Sequence, residues 1–264
     1  MAESSAGDRS IPRRAARWLP VWRRNLRVWS KLAVPSLIGN FGEPLLYLLA
    51  LGYGLGALVG RIGDMPYMYF LASGIFCSSA MMTASFEATY SAYSRMAVQK
   101  TWEAIVTTPL DVIDVVLGEV FWAATKSLFS ATAILLVAWA LGAVNGALAV
   151  LAVPVALLSG FCFAALAMVI TALARSYDFF LYYSTLGVTP MLLICGVFFP
   201  ISQMPAEIQA LAWALPLTHS VALARPLITG ATPENVLLHL ALLGAYGTVA
   251  LGVAVKLLKR RLDA

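Results

Sequence analysis

RMAVQKTWEAIVTTP, residues Arg95–Pro109, is a polar island in a chain that is almost continuously apolar on either side. A short polar segment between two membrane-length runs has to sit in water. That makes the flanking runs spans and the island a loop between them. The loop carries Arg95 and Lys100 on the side where most other basic residues fall. It reads as a docking loop for a cytoplasmic partner, and the spans around it as the machine that partner drives. Its core, Met96 to Val106, is expected to form one short helix, stopped by Thr107-Thr108-Pro109.

The whole composition agrees with the island's surroundings. Of 264 residues, 61% are hydrophobic and 12% charged, against about 25% charged in a soluble domain. This indicates an all-α polytopic membrane protein and excludes an ordinary soluble core. The net charge of +5 is not a nucleic-acid footprint, because eight of the 18 Lys and Arg precede residue 32 and four follow residue 255. Both clusters flank apolar runs, where they fix orientation and touch anionic lipid. Cys77, Cys162 and Cys195 lie inside apolar runs without metal-ligand spacing and read as packed residues. The first thirty residues lack the apolar core and small-residue cleavage site of a secretory signal.

Outward from the island, residues 1–12 are small, polar and charged, and are expected to be a disordered cytoplasmic tail. Residues 13–34 follow as an amphipathic segment. At about 100° per residue, Trp18, Trp22, Leu26, Trp29 and Ala33 share one arc, with Arg13, Arg17, Arg23, Arg24, Arg27 and Lys31 opposite. Pro20 suits a first helical turn. Trp against Arg predicts a helix lying in the membrane interface. Six spans form one domain over 35–257: about 35–59, 67–93, 112–141, 147–174, 179–199 and 235–255. A tail at 258–264 closes the chain. Between spans five and six, Pro200, Pro205, Pro216, Pro226 and Pro233 break a semi-apolar stretch into short re-entrant helices. With six spans, 15 Lys and Arg fall on the side of both termini and the Arg95 loop, and only Arg61 and Arg225 on the other. The positive-inside rule makes the first side cytoplasmic. The Pro-rich region, with Phe199, Pro200, Pro205, Pro216, His219 and Arg225, then faces outward.

Intramembrane ionisable residues are candidates for function. Glu43, Glu87 and Asp114 lie within about two turns of a cytoplasmic span end and can reach headgroups or water. Lys126, near the middle of span three, needs a partner. Glu119 shares its face about 10 Å away along the axis, and either it or a water-filled cavity is the expected answer. His219 and His239 read as hydrogen-bonded structural residues. No catalytic constellation, metal set or phosphate-binding loop is present in the sequence, so if the chain works against a gradient the energy comes from elsewhere.

The order and spacing of several short motifs resemble a known family. Tyr69-Phe70-Leu71-Ala72-Ser73-Gly74-Ile75, Arg95, Trp102-Glu103, Thr108-Pro109 and Gly118-Glu119 are similar to the permease subunits of ABC type-2 exporters. So are Gly196-Val197-Phe198-Phe199-Pro200, Met204-Pro205 and Pro216-Leu217-Thr218-His219. The combination looks most like the nodulation-factor (lipooligosaccharide) export permeases, the J-type partners of an I-type ATPase. The resemblance starts at about Trp18 and contributes nothing before residue 15.

It implies a permease in a bacterial inner membrane, multi-pass with both termini cytoplasmic, moving an amphipathic glycolipid outward. It implies a homodimer with two ABC ATP-binding subunits that carry the ATP and magnesium, leaving no cofactor in this chain. Arg95, Lys100, Trp102, Glu103, Thr108 and Pro109 would then belong to the cytoplasmic coupling helix. Trp18, Trp22, Arg23, Arg24, Arg27 and Trp29 would belong to the interfacial helix. Export of a drug or polysaccharide is the nearest alternative. An ion-coupled carrier using Glu119 and Lys126, or a lipid-modifying enzyme built on Glu87, Asp114 and Glu119, are the more distant ones.

Overall fold

The computed structural model describes residues 16–262, with only the backbone of residues 37–41. The expected tail at 1–12, Arg13, and the last two residues lie outside the described residues. In hydrocarbon each segment has to satisfy its own backbone N–H groups, and helices dominate the described chain accordingly. Helix α1 (Leu19–Ser30) begins with Pro20 in its first turn. Helix α2 (Ala33–Leu49) runs through a π-type segment (Ala50–Leu55) into α3 (Gly56–Val59). Strands β1 (Arg61–Ile62) and β2 (Met65–Pro66) then pair antiparallel in the short polar turn. Helix α4 (Tyr67–Phe86) continues through π-type segments (Glu87–Ser91 and Ser94–Val98), and α5 (Thr101–Val106) follows. Helices α6 (Val112–Ala140) and α7 (Ala152–Leu173) are long and apolar, while α8 (Asp178–Tyr183) and α9 (Thr189–Ile194) are joined by another π-type segment. Helices α10 (Ala206–Trp213) and α11 (Pro216–Thr229) precede α12 (Val236–Leu262).

Among the described residues five helical stretches are long and apolar enough to cross a membrane: 42–59, 67–98, 112–140, 147–173 and 236–262. The expected fifth span is helical only over residues 178–194, about 25 Å at 1.5 Å per residue. Gly196, at φ +78°, turns the chain out of that helix, so Phe199 and Pro200 lie beyond it. Helices α10 and α11 meet at an angle of 85°, the bend of a re-entrant pair or of a broken span.

Three further boundaries differ from the sequence reading. Span two does not end at 93 but stays helical to Val98, so Glu87 sits deeper than its expected place near the end. The expected single helix from Met96 to Val106 is divided at Lys100, which takes a left-handed φ of +50°. Span six runs on through the basic residues to Leu262 instead of ending near 255, because Lys and Arg are good helix formers and suit a helix C-terminus.

The core sits around α4. Within the candidate spans, 83% of its window is buried, against 17% for the first span and 22% for α12. Helix α4 packs on α6, α7 and α11, and α7 carries α12. Two motif segments distant in sequence meet here. Gly74 on α4 lies against the Val197 backbone so closely that an added Cβ would collide with it. The three cysteines are free and buried.

Candidate functional site

At its C-terminal end α4 opens into a cluster of buried charges. In an α-helix, residues eight apart are about 80° out of phase. The π-type segments underwind this part of the helix and bring Arg95 back over Glu87. The Arg95 guanidinium donates to Glu87 Oε1 at 2.8 Å. It also donates twice to Glu119, Nε to Oε1 at 3.0 Å and Nη2 to Oε2 at 2.6 Å. From α6, Lys126 Nζ donates to Glu87 Oε2 at 2.8 Å, and Trp122 Nε1 to Glu87 Oε1 at 2.9 Å. Glu119 also accepts from Trp102 Nε1 at 3.2 Å and from Asn25 Nδ2 at 3.0 Å. Two carboxylates thus face two cations, with every carboxylate oxygen hydrogen-bonded. Such a cluster is stable in a low-dielectric place only when it is paired this completely.

The partner of Lys126 is therefore Glu87, not Glu119. The sequence reading placed Glu87 near the headgroups, and the longer helix places it level with Lys126. Arg95 is also not a surface residue of a docking loop, since its side chain is only 15% exposed. Trp102 is fully buried. Its replacement would disturb packing, so only Glu103 of the Trp102-Glu103 pair is a clean surface probe. Asn25 and Trp122 were missed. Asn25 lies about 20° beside the tryptophan arc of the helical wheel, and Trp122 stands between Glu119 and Lys126 at helical spacing on one face.

Helix α1 delivers Asn25, and its tryptophans do not point to lipid. Trp18 lies 4.7 Å from the Phe121 ring, Trp22 Nε1 donates to Thr125 Oγ1 at 3.0 Å, and Trp29 stacks on Phe129 at 5.3 Å. Val21, which is buried, fits over Gly118. A Cβ at Gly118 would stand 2.6 Å from Val21 Cβ. The aromatic face is thus spent on α6, and the exposed face holds Arg23, Arg27 and Lys31. Arg24, partly buried, has its pKa lowered by burial, which outweighs the attraction of Glu119.

Below the cluster, α5 forms the tip. Trp102 and Ile105 turn inward, while Lys100, Glu103, Thr108 and Pro109 are exposed. Lys100 and Glu103 approach to 4.0 Å. The Thr107 and Thr108 hydroxyls donate to the Ala104 and Ile105 carbonyls and close the helix. Asp111 and Asp114 then form a capping box that starts α6, which accounts for Asp114 without chemistry. Pro20, Val21, Arg24, Thr101 and Ile105 line a cleft of about 230 Å³ between α1 and α5.

On the other side of the fold Arg225 from α11 donates to Ser73 Oγ at 2.9 Å, to the Phe70 carbonyl at 3.3 Å and to the Gly196 carbonyl at 2.5 Å. Its guanidinium lies 3.6 Å over the Phe70 ring. His219 and His239 meet through their Nδ1 atoms at 3.0 Å, and Trp213 packs beside both. Pro216 starts α11, Pro205 precedes α10, and Phe199 is about half exposed. Glu43 is exposed on the first span and shares a groove with Lys126. Among the described residues no group of three or more His, Cys, Asp or Glu is placed to hold a metal ion.

Comparison with known proteins matches residues 18–228 to the family described as ABC-2 type transporter. The chain is similar to a Nodulation protein J of Sinorhizobium fredii, at 44% identity, with 96% of each chain covered. It is 45% identical to a Nodulation protein J of Rhizobium leguminosarum bv. viciae, over 97% of this chain and 99% of that one. A more distant likeness, 23% identical over 77% of this chain and 78% of the other, is to the inner membrane transport permease YadH of Escherichia coli.

Proposed function

Because the chain belongs to the ABC-2 type transporter family, a family of membrane permeases, we propose that it is the spanning subunit of an ATP-driven exporter of an amphipathic lipooligosaccharide. The names of its relatives, Nodulation protein J, favour that substrate class. Two ATP-binding subunits would carry ATP and magnesium and dock on the tip around α5. Two copies of this chain would form the permease in the inner membrane, with both termini cytoplasmic. The charge distribution of the sequence supports that orientation. The outward-turned apolar side chains of the first span and of the α8–α9 stretch, such as Leu46 and Leu186 at 67% and 75% exposure, are suited to lipid or to a second copy.

One observation carries the coupling role: Glu119 is bonded at once by α1, α5 and the extension of α4. A push on α5 moves Trp102, and Trp102 holds Glu119. Glu119 holds Arg95 and Asn25, so α4 and α1 have to follow or the buried charges separate. The close seat of Val21 on Gly118 leaves little slack between α1 and α6. Further in, a groove of about 460 Å³ lined by Ser36, Glu43, Phe86 and Lys126 offers donors, acceptors and an aromatic face to a sugar headgroup. Co-purification in mild detergent tests the reading. A stoichiometric ATP-binding subunit, lost on reversing Lys100 and Glu103 to Lys100→Glu with Glu103→Lys, supports it. A chain that transports when purified alone overturns it.

A further inference from the structure

The interfacial helix is turned around relative to a free amphipathic helix at a membrane. Its tryptophans are taken up by α6, so what it offers outward is its cations. Arg23, Arg24, Arg27 and Lys31, with Pro20 and Val28, line one groove of about 390 Å³. No acidic side chain lines this groove, and among the described residues none of the four cations is in an ion pair. Arg24, which lines the groove, has its Nη1 buried without a hydrogen-bond partner among the described residues. A buried donor left this way is costly, and four cations around one concavity repel each other. Both costs are relieved by an anion with several acceptor oxygens.

The neighbourhood decides which anion. Val28, which lines the groove, and Leu32, which shares the adjoining pocket with Val28, are 59% and 61% exposed. An apolar strip leading out of a cationic groove fits a molecule with a phosphate at one end and hydrocarbon at the other. The contacts of α1 step along α6 from Gly118 to Phe129, about 17 Å at 1.5 Å per residue. That extent lays α1 along the spans, and only the Pro20–Arg24 end of the groove also borders the cleft to α5. We infer that the groove formed by Arg23, Arg24, Arg27 and Lys31 binds the phosphodiester headgroup of an anionic phospholipid from the adjoining leaflet, its chains lying along Val28 and Leu32.

The site bears on the cluster behind it. Arg24 stands on the helix that delivers Asn25 to Glu119, and it is repelled by Arg95. A phosphate on Arg24 offsets that repulsion and holds α1 on α6. Anionic lipid then stabilises the arrangement through which α5 is linked to the spans. The inference rests on the membrane placement of the chain and not on any ATP-binding subunit.

The test is native mass spectrometry of the full-length protein with phosphatidylglycerol and phosphatidylcholine added separately and in competition. The wild type is expected to bind its first phosphatidylglycerol more tightly than phosphatidylcholine. Arg23, Arg27 and Lys31 are exposed, so the triple variant R23Q/R27Q/K31Q keeps the packing of α1. Its phosphatidylglycerol affinity is expected to fall by about fivefold per cation removed, with phosphatidylcholine binding unchanged. Arg24→Gln alone is expected to lose about fivefold as well. Unchanged phosphatidylglycerol selectivity in both variants overturns the assignment. Displacement of the lipid by equimolar inorganic phosphate would make this a site for the free ion and also overturn it. A triple variant that sheds an ATP-binding subunit while its lipid binding stays intact would make the groove a protein contact instead. Because lipid binding is read on the chain alone, failure here leaves the exporter reading standing, and loss of that reading leaves this result interpretable.

Discussion

Arg95 and Arg225 stand at opposite ends of the same long helix, one on it and one against it. Arg95 bonds two carboxylates, Glu87 and Glu119, from residues of α4's extension and α6. Arg225 bonds a hydroxyl and two backbone carbonyls, and covers an aromatic ring. Charge-assisted bonds are strong, and side-chain carboxylates move with the helices that carry them. Backbone carbonyls at the turn after α9 and at the start of α4 cannot rearrange without unfolding those elements. The first arginine therefore joins two helices through side chains alone, and the second pins the bent α10–α11 pair to the core. The difference leaves the Arg95 end the more adjustable and the Arg225 end the more rigid.

The largest expected effect breaks the first of these. Arg95→Leu leaves Glu87 with Lys126 and leaves Glu119 with neutral donors only. Removing one partner of a buried ion pair costs about 3–5 kcal/mol, and the variant is expected to melt far below wild type in detergent or to be recovered poorly. Adding Glu119→Gln is expected to restore part of that loss, because the two groups act as a unit. Strictly additive losses would show that the cluster is not one network.

Next comes Arg225→Leu. It leaves the Gly196 carbonyl without its guanidinium donor, at a cost of about 1–3 kcal/mol, while the Phe70 carbonyl keeps the Ser73 hydroxyl. Hydrogen exchange is expected to rise around residues 196–204 and 216–229 while the Arg95 end stays protected. Equal loosening at both ends would remove the contrast between a pinned side and an adjustable one. Gly118→Ala comes third. The added methyl meets Val21, and overpacking of this kind costs about 1–3 kcal/mol. The Trp22 and Trp29 environments are expected to change with it, seen as a shifted tryptophan emission. An unchanged spectrum with unchanged stability would mean that α1 is not held tightly on α6.

The two regions were legible in the sequence to different degrees. Apolar run lengths located the long helices, because hydrocarbon leaves a spanning backbone few options. The proline spacing between Pro200 and Pro233 anticipated the short bent helices for the same reason. The pairing of Lys126 was not legible. A hydropathy reading ends span two where polar residues begin, at Tyr93, but Arg95 neutralises Glu87 and lets the helix continue to Val98. Depth assigned from the end of an apolar run is therefore wrong when the next polar residue is folded back into the core. Arg225 was placed outward, but its partners, backbone carbonyls at Phe70 and Gly196, have no side-chain signature to read. The tryptophan face of α1 was correctly grouped and wrongly aimed, since amphipathicity gives a face but not whether lipid or protein covers it.

The smallest effect on stability is expected where the sequence reading placed the docking loop. Lys100 and Glu103 form an exposed pair at 4.0 Å, with 70% and 58% of their side chains accessible, and surface pairs of this kind contribute under about 1 kcal/mol. Exchanging them, Lys100→Glu with Glu103→Lys, preserves the net charge and is expected to leave the melting temperature within error of wild type. Binding of an ATP-binding subunit is nevertheless expected to fall, because the tip then presents the opposite sign at each position. That pairing of outcomes separates the tip from the cluster above it. Arg95 variants lose coupling because the fold loosens, and the exchanged tip loses it with the fold intact. If the exchange destabilised the protein as much as Arg95→Leu does, α5 would have to be counted with the buried cluster, and the surface on which a partner is expected to act would lie elsewhere.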